Sequence, residues 1–112
     1  MKTLRAYNVQ IWCGLKKQYT DKIYSIQDVR TICDEHCKDG DCVTITKTEY
    51  RYKGGYEKGV VVGYIQYPRF PRKKKEILRR ALMLAETMLI KLEQYRVTVT
   101  TPYKSYMISS SK

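Results

Sequence analysis

Short segments in which apolar and polar residues alternate, separated by two helical segments, constrain the fold of this chain more than any other feature. Residues 6–15 alternate with period two. Val9, Ile11 and Cys13 fall on one side of this segment, and more polar residues fall on the other. This pattern indicates a strand with one buried face.

Two segments repeat apolar residues at helical spacing. The first is predicted to begin after Ser25, which forms a capping-box pattern with Asp28, and to end at Gly40. The second covers residues 72–95, and its apolar sector is wider than one sheet face needs. Deep burial and a self-association surface explain the excess equally well, so the sequence leaves both open.

Further strands follow the first helix. They are predicted over residues 42–52, 60–67 and 96–101, and residues 103–108 can add a short edge strand. Glycines after Lys53 favour a hairpin between the second and third strands.

The resulting order is β-α-β-β-α-β, which predicts an α+β fold of the ferredoxin-like type. In that arrangement both helices cover one face of an antiparallel sheet. We expect residues 1–108 to form a single domain and the Ser-rich residues 109–112 to form a disordered tail.

The uncovered sheet face is predicted to combine polar residues with aromatic rings. Its members would be Asn8, Gln10, Trp12, Thr44, Thr46, Thr48, Tyr50, Tyr52, Tyr64, Gln66, Thr98 and Thr100. Aromatic rings on an open sheet can stack on the bases of single-stranded nucleic acids. Trp12, Tyr50, Tyr52 and Tyr64 are therefore candidate binding residues.

Two of these strands resemble the RNA-recognition motif. The segment 63–67, Gly-Tyr-Ile-Gln-Tyr, is similar to the end of that family's third-strand signature, and Ile11-Trp12 is similar to the start of its first-strand signature. The resemblance implies RNA binding on the open sheet face. Three valines at 60–62 replace the basic residue, glycine and aromatic residue of the signature, so the chain is not assigned to the family.

Positive charge is the strongest compositional signal. Lys and Arg number 22 against 11 for Asp and Glu, which gives a net charge of +11. The start of the second helix concentrates this charge in Arg69, Arg72, Lys73, Lys74, Lys75, Arg79 and Arg80. Cations beside the free N–H groups of a helix N-terminus favour phosphate or carboxylate binding, although a solvated charged surface would have the same composition.

The remaining chemistry-bearing residues indicate structural roles. Cys33, Cys37 and Cys42 lack the regular spacing of a zinc site, and Cys33 and Cys37 continue the apolar face of the first helix. We therefore predict structural cysteines and no metal, with a metal site or a regulatory disulfide as the alternative. His36 is the only histidine, and no catalytic motif surrounds it. We predict neither an enzyme nor a cofactor.

The sequence thus predicts a small, basic, non-enzymatic protein that binds single-stranded nucleic acid or another polyanion. Two alternatives remain: an inhibitor or adaptor, which could be virus-encoded, that docks on an acidic protein, and an oligomeric sensor of a small anion or nucleotide. The wide apolar sector of the second helix leads us to expect a homo-oligomer. We expect no membrane partner, because the longest apolar run, Ala81–Ala85, is short, and a cytoplasmic location, because the N-terminus lacks a signal-peptide pattern.

Overall fold

A computed structural model of the protein describes residues 1–110 and contains two α-helices beside one five-stranded antiparallel sheet. The strands are β1 (Val9–Gly14), β2 (Thr44–Tyr52), β3 (Gly55–Tyr64), β4 (Arg96–Thr100) and β5 (Ser105–Ser109). The helices are α1 (Ile26–His36) and α2 (Lys74–Lys91), and a 3-10 turn, Cys37–Asp39, follows α1. The predicted α+β class is confirmed.

The strands lie in the order β2-β3-β1-β4-β5, so that β1 is central. Trp12 of β1 pairs with Val61 of β3 on one side and with Thr98 of β4 on the other. The predicted edge strand is present as β5, which pairs with β4. After β5, the Ser110 N–H donates to the Tyr95 carbonyl at 2.9 Å. Residues 111–112 of the predicted tail lie outside the described residues.

Local chemistry explains where the helices begin and end. The predicted capping box of Ser25 and Asp28 is present, with each side chain accepting from the other residue's backbone N–H. Gly40 ends the helical region with a φ of 101°, a conformation that glycine adopts without steric cost. Helix α2 is shorter than predicted, because the chain turns at Glu93, which has a φ of 52°.

The core lies between the helices and one face of the sheet. It includes Val9 and Ile11 of β1 and Val97 and Val99 of β4, which are 0–1% exposed, as the alternation predicted. Helix α2 contributes a buried stripe consisting of Ile77, Ala81, Leu84, Ala85, Met88 and Leu89. Within residues 1–110, no helix combines the length and apolar character that a bilayer span requires.

Tyr64 lies on the helix-covered face, which corrects its predicted place on the open face. It pairs with Val9 across β1 and β3, and residues directly opposite each other share a face. Its side chain is accordingly in the core, with the residue 3% exposed. The consecutive valines at 60–62 hide the alternation of β3, so the sequence pattern did not reveal which way Tyr64 points.

Candidate functional site

A cleft opens on the sheet face that the helices leave uncovered, beside the loop that joins β1 to α1. It is lined by Trp12, Gly14, Lys16, Lys17, Gln18, Tyr19, Tyr50, Glu57, Gln94, Tyr95, Arg96 and Thr98. Its volume of about 470 Å³ suits a small organic ligand, since such sites typically measure about 300–1,000 Å³. This surface is termed the open-face cleft.

Two paired glycines lie under the open-face cleft and are termed the glycine floor: Gly14 is in the lining, and Gly59 is beneath the Tyr50 ring. Gly14 of β1 lies opposite Gly59 of β3. A Cβ atom on Gly59 would be 2.2 Å from a ring carbon of Tyr50, and one on Gly14 would be 2.5 Å from the Glu57 carboxylate. At either distance something must shift: a side chain at Gly59 would displace the Tyr50 ring, and one at Gly14 would displace the flexible end of Glu57. The glycines therefore allow the Tyr50 ring and the Glu57 carboxylate to lie directly on the sheet.

Two polar atoms of the open-face cleft are buried without a hydrogen-bond partner. Among the described residues, three buried side-chain atoms lack a partner: the Tyr50 hydroxyl, Gln18 Oε1 and Ser110 Oγ. Tyr50 and Gln18 both line the cleft. Each unsatisfied group costs about 1–3 kcal/mol, a cost that a ligand with matching groups would remove.

The two unpartnered atoms have opposite hydrogen-bonding character. Burial, with smaller contributions from Cys13 and Glu57, raises the pKa of Tyr50 to about 12, so its hydroxyl is protonated near neutral pH and can donate. Gln18 Oε1 can only accept. A turn of these two side chains would therefore present one donor and one acceptor to a ligand in the cleft.

Aromatic rings form the walls of the open-face cleft. The Trp12 indole N–H donates to Thr100 Oγ1 at 3.0 Å, which fixes the orientation of the ring. Tyr19 and Tyr95 meet edge to face, with ring centres 5.1 Å apart, and the Tyr19 hydroxyl donates to the Tyr95 hydroxyl at 2.6 Å. Such walls suit planar rings and cations.

The predicted aromatic residues divide between different surroundings. Trp12 and Tyr50 lie on the open face as predicted and meet in the cleft. Tyr52 is also on the open face, but it lies near the tip of the β2–β3 hairpin, 59% exposed and outside the cleft lining. Tyr64 is buried on the opposite side of the sheet.

The predicted basic cluster is partly neutralised by acidic residues of the same chain. Arg80 is buried, which corrects its predicted availability to an external phosphate. Arg72 contacts Asp41 and Glu76, and Arg79 contacts Glu76. The remaining members, Arg69, Lys73, Lys74 and Lys75, are exposed at the surface. They lie outside the cleft lining.

Asp41 organises a buried polar cluster on the helix side, which we term the Asp41 cluster: Asp41, His36, Tyr64, Arg72 and Arg80. The Asp41 carboxylate accepts from Arg72 Nη1 at 2.6 Å and from Arg80 Nε at 2.8 Å. The Tyr64 hydroxyl donates to it at 3.1 Å. These contacts tie the end of α1 and the end of β3 to helix α2, which is a structural role.

The Asp41 cluster shifts the pKa values of its members. Burial favours a higher pKa for Asp41, but hydrogen bonds from Arg80 and Arg72 outweigh burial and hold the pKa below its ordinary value. Burial and the nearby Arg80 lower the pKa of His36. His36 is therefore neutral near pH 7, and its Nε2, 2.9 Å from Asp41 Oδ2, forms a hydrogen bond rather than an ion pair.

Gln18, Glu57 and Asp41 were not predicted as functional residues from the sequence. Gly14 and Gly59 were a usable signal for the cleft, because glycine inside a strand often marks a close approach. Nothing local marked Asp41, whose partners are distant in sequence.

Across residues 1–110, no three or more His, Cys, Asp or Glu side chains lie close enough together to hold a metal ion. Burial raises the pKa of the Cys33 thiol to about 12, which disfavours the thiolate that metal binding requires.

These features define a class: a small α+β domain with a ligand-sized cleft on its open sheet face. A solved structure with a similar fold is a phage SAM lyase in complex with S-methyl-5'-thioadenosine, with a TM-score of 0.75 and 16% identity, covering 98% of this chain and 94% of that chain. The phage SAM lyase in its apo state gives a TM-score of 0.72 and 14% identity, covering 95% and 90% of the respective chains.

A designed protein has a more distant likeness. The de novo designed protein Foldit4 matches with a TM-score of 0.51 and 15% identity, covering 89% of this chain and 99% of that chain. No family model matches the sequence, and no curated protein does. Because a designed protein has a related fold, the architecture alone does not specify a function.

The likeness to the phage enzyme corrects the functional prediction. A non-enzymatic nucleic-acid-binding protein was expected, with an inhibitor, an adaptor or a sensor as alternatives. That expectation is wrong, because the two phage structures that match nearly the whole chain are those of an enzyme. The prediction that the chain is not an enzyme is overturned by the same finding.

Proposed function

We propose that this protein is an enzyme that cleaves S-adenosylmethionine and releases S-methyl-5'-thioadenosine, and that the open-face cleft is its active site. The observation that carries the proposal is the likeness, over nearly the full length of both chains, to a phage SAM lyase with S-methyl-5'-thioadenosine bound. The cleft volume of about 470 Å³ and its two unpartnered polar atoms support this location.

We also propose that the fold is ferredoxin-like. Its first four strands and two helices alternate as β-α-β-β-α-β, and the sheet order β2-β3-β1-β4 places β1 and β3 at the centre. Strand β5 extends this sheet at the β4 edge. Both helices contribute to one core, which leaves the opposite face open for the cleft.

The proposed reaction breaks a carbon–sulfur bond without water. An oxygen of the substrate's own carboxylate forms a bond to the γ-carbon while the bond from that carbon to sulfur breaks. The electron pair remains on sulfur, which gives S-methyl-5'-thioadenosine and α-amino-γ-butyrolactone. A negative and a positive charge disappear together, so removal of the substrate from water favours the transition state over the solvated substrate.

The cleft residues have distinct roles in this proposal. The rings of Trp12, Tyr19 and Tyr95 contact the adenine and the sulfonium methyl group. The Glu57 carboxylate attracts the substrate's ammonium group, which leaves the substrate's carboxylate free to attack. The Tyr50 hydroxyl donates a hydrogen bond and thereby fixes the substrate against the glycine floor.

A direct test is to incubate the purified protein with S-adenosylmethionine in H₂¹⁸O and to identify the products by mass spectrometry. We expect S-methyl-5'-thioadenosine and an unlabelled lactone. Tyr50→Phe and Glu57→Gln should each lower kcat/KM by about tenfold or more, since each removes a positioned polar contact. Tyr52→Phe is the matched control, because Tyr52 is on the same face but outside the cleft lining, and it should behave like the wild type.

Two results would reject the proposal. The first is the absence of S-methyl-5'-thioadenosine at any substrate concentration. The second is homoserine that carries ¹⁸O in its hydroxyl group, which would identify a hydrolase that attacks the γ-carbon with water.

Self-association remains a prediction, and we propose α2 as its surface. Met83 and Ile90 are 44% and 66% exposed on this helix, which supports the interpretation that its wide apolar sector exceeds what the core uses. Light scattering should give an oligomeric mass for the wild type and a smaller mass for Ile90→Glu. A monomeric wild type at assay concentrations would contradict the proposal.

A further inference from the structure

The loop 15–25 that joins β1 to α1 has a tightly held conformation. The Lys17 N–H donates to the Lys22 carbonyl at 2.8 Å, and Lys16 forms an antiparallel bridge with Ile23. Tyr19, in this loop, has a φ of 60°, in the left-handed region that is unfavourable for residues other than glycine. Such conformations persist where surrounding contacts hold them, often at functional sites.

Glu93, which follows α2, fastens this loop. It also has a left-handed backbone, with a φ of 52°. Its carbonyl accepts from the Gln18 N–H at 3.3 Å, and its carboxylate pairs with Lys17 at 3.1 Å. The Tyr24 hydroxyl donates to the same carboxylate. The backbone on both sides of Gln18 is therefore fixed before any ligand arrives.

The Gln18 backbone is thus held in place, but its side-chain oxygen makes no hydrogen bond. Gln18 Oε1 is buried and has no hydrogen-bond partner within residues 1–110. Its side chain lines the open-face cleft beside the Tyr19 and Tyr95 rings. A buried acceptor without a partner costs free energy, and a turn of the Gln18 side chain, with its backbone held, brings the oxygen to the cleft. The arrangement is explained if a ligand supplies the missing N–H.

Charge indicates which N–H group of the substrate reaches Gln18. Gln18 is uncharged, and the cations Lys16 and Arg96 line the same cleft, so Gln18 has no negative charge with which to attract an ammonium group. The anionic partner for an ammonium group is Glu57, on the glycine floor. A neutral amide beside two aromatic rings instead matches a planar base that carries an uncharged amino group.

We propose that Gln18 is a specificity-determining residue, whose Oε1 accepts a hydrogen bond from the 6-amino group of the substrate's adenine. This inference rests on the proposed cleavage of S-adenosylmethionine in the open-face cleft. It adds that the enzyme selects its substrate by the base as well as by the sulfonium centre. A 6-oxo base presents an acceptor at that position, and two acceptors repel each other.

The test compares kcat/KM for S-adenosylmethionine with that for its hypoxanthine analogue, S-inosylmethionine. The wild type should prefer the adenine substrate by about tenfold or more, the effect of one unmade hydrogen bond to a buried group. Gln18→Leu should bring the preference close to one, mainly through slower cleavage of S-adenosylmethionine. Gln18→Glu keeps an acceptor and should keep the preference. Gln10→Leu is the matched control on the open face of β1, outside the cleft lining, and should leave both rates unchanged.

The outcomes separate this inference from the proposed function. If the wild type cleaves S-adenosylmethionine but Gln18→Leu retains its full preference for adenine, the inference alone is overturned. The inference alone is also overturned if Gln18→Glu loses the preference for adenine. This second variant tests the inference if a thermal melt shows that Gln18→Leu does not fold. If the wild type cleaves neither substrate, the proposed function fails and the inference fails with it.

Discussion

Replacing Asp41 by asparagine removes a buried negative charge that two neighbouring guanidinium groups share. The Asp41 side chain is 2% exposed and that of Arg80 is 9% exposed, so water cannot replace the lost partner. The substitution also weakens the contact of Arg72, whose Nη1 is 2.6 Å from Asp41 Oδ1. Breaking a buried ion pair from one side costs about 3–5 kcal/mol, and Arg80 would keep only a contact of 3.4 Å with the exposed Asp39 carboxylate.

This cost converts into a melting temperature. With an unfolding entropy of about 2.1 cal/mol/K per residue, the 112-residue chain has a total of about 235 cal/mol/K, so a loss of about 3–5 kcal/mol lowers the Tm by about 13–21 °C. Thermal unfolding followed by circular dichroism measures the change. Glu35→Gln is the control, since Glu35 forms an exposed pair with Lys38 whose loss should leave the Tm nearly unchanged.

A double variant tests the physical reason for this loss. If the unpaired Arg80 charge causes most of it, Arg80→Met should destabilise the Asp41→Asn protein less than it destabilises the wild type. The coupling between the two changes should be about 0.5–3 kcal/mol. A Tm for Asp41→Asn within about 4 °C of the wild type, which corresponds to about 1 kcal/mol, would refute the reasoning.

Three further predictions concern pH, the glycine floor and helix α2. Because the pKa of His36 is lowered in the folded protein, its contribution to stability is present above the unfolded pKa of about 6.5 and is lost as the pH falls. The Tm should therefore decrease below about pH 6, and the decrease should be smaller in His36→Gln. Gly59→Ala should lower kcat/KM for S-adenosylmethionine by more than about tenfold because the new methyl group displaces Tyr50, and unchanged kinetics would contradict the described floor. Ile90→Glu should reduce oligomeric mass in light scattering while preserving the Tm, since Ile90 is exposed; an unchanged mass would exclude this residue from the interface.

The features that sequence predicted well depend on neighbours in the chain. Ser25 and Asp28 are three residues apart, so their capping box follows from local chemistry. The period-two pattern around Ile11 likewise reveals which side of β1 is buried. In β3 the consecutive valines gave no alternation, and the direction of Tyr64 was predicted wrongly.

The features that sequence missed depend on residues brought together from distant parts of the chain. Asp41 and Arg80 are 39 positions apart, so the sequence did not reveal that they form a pair. The positive charge of Arg80 was therefore interpreted as part of an exposed anion-binding surface. Gln18 lies in an irregular loop whose conformation depends on Glu93, beyond α2. Trp12 and Tyr50 were placed on the correct face, but rings on an open sheet suit a nucleic acid as well as a small molecule.

Whether the open-face cleft is the substrate site is tested most directly by the indole N–H resonance of Trp12, the chain's single tryptophan. Titration with S-methyl-5'-thioadenosine should shift this resonance until it saturates, because Trp12 lines the cleft and its N–H contacts Thr100. Tyr50→Phe should weaken the binding measured from the same signal. A resonance that stays unchanged while the protein converts S-adenosylmethionine would place the reaction elsewhere and contradict the assignment.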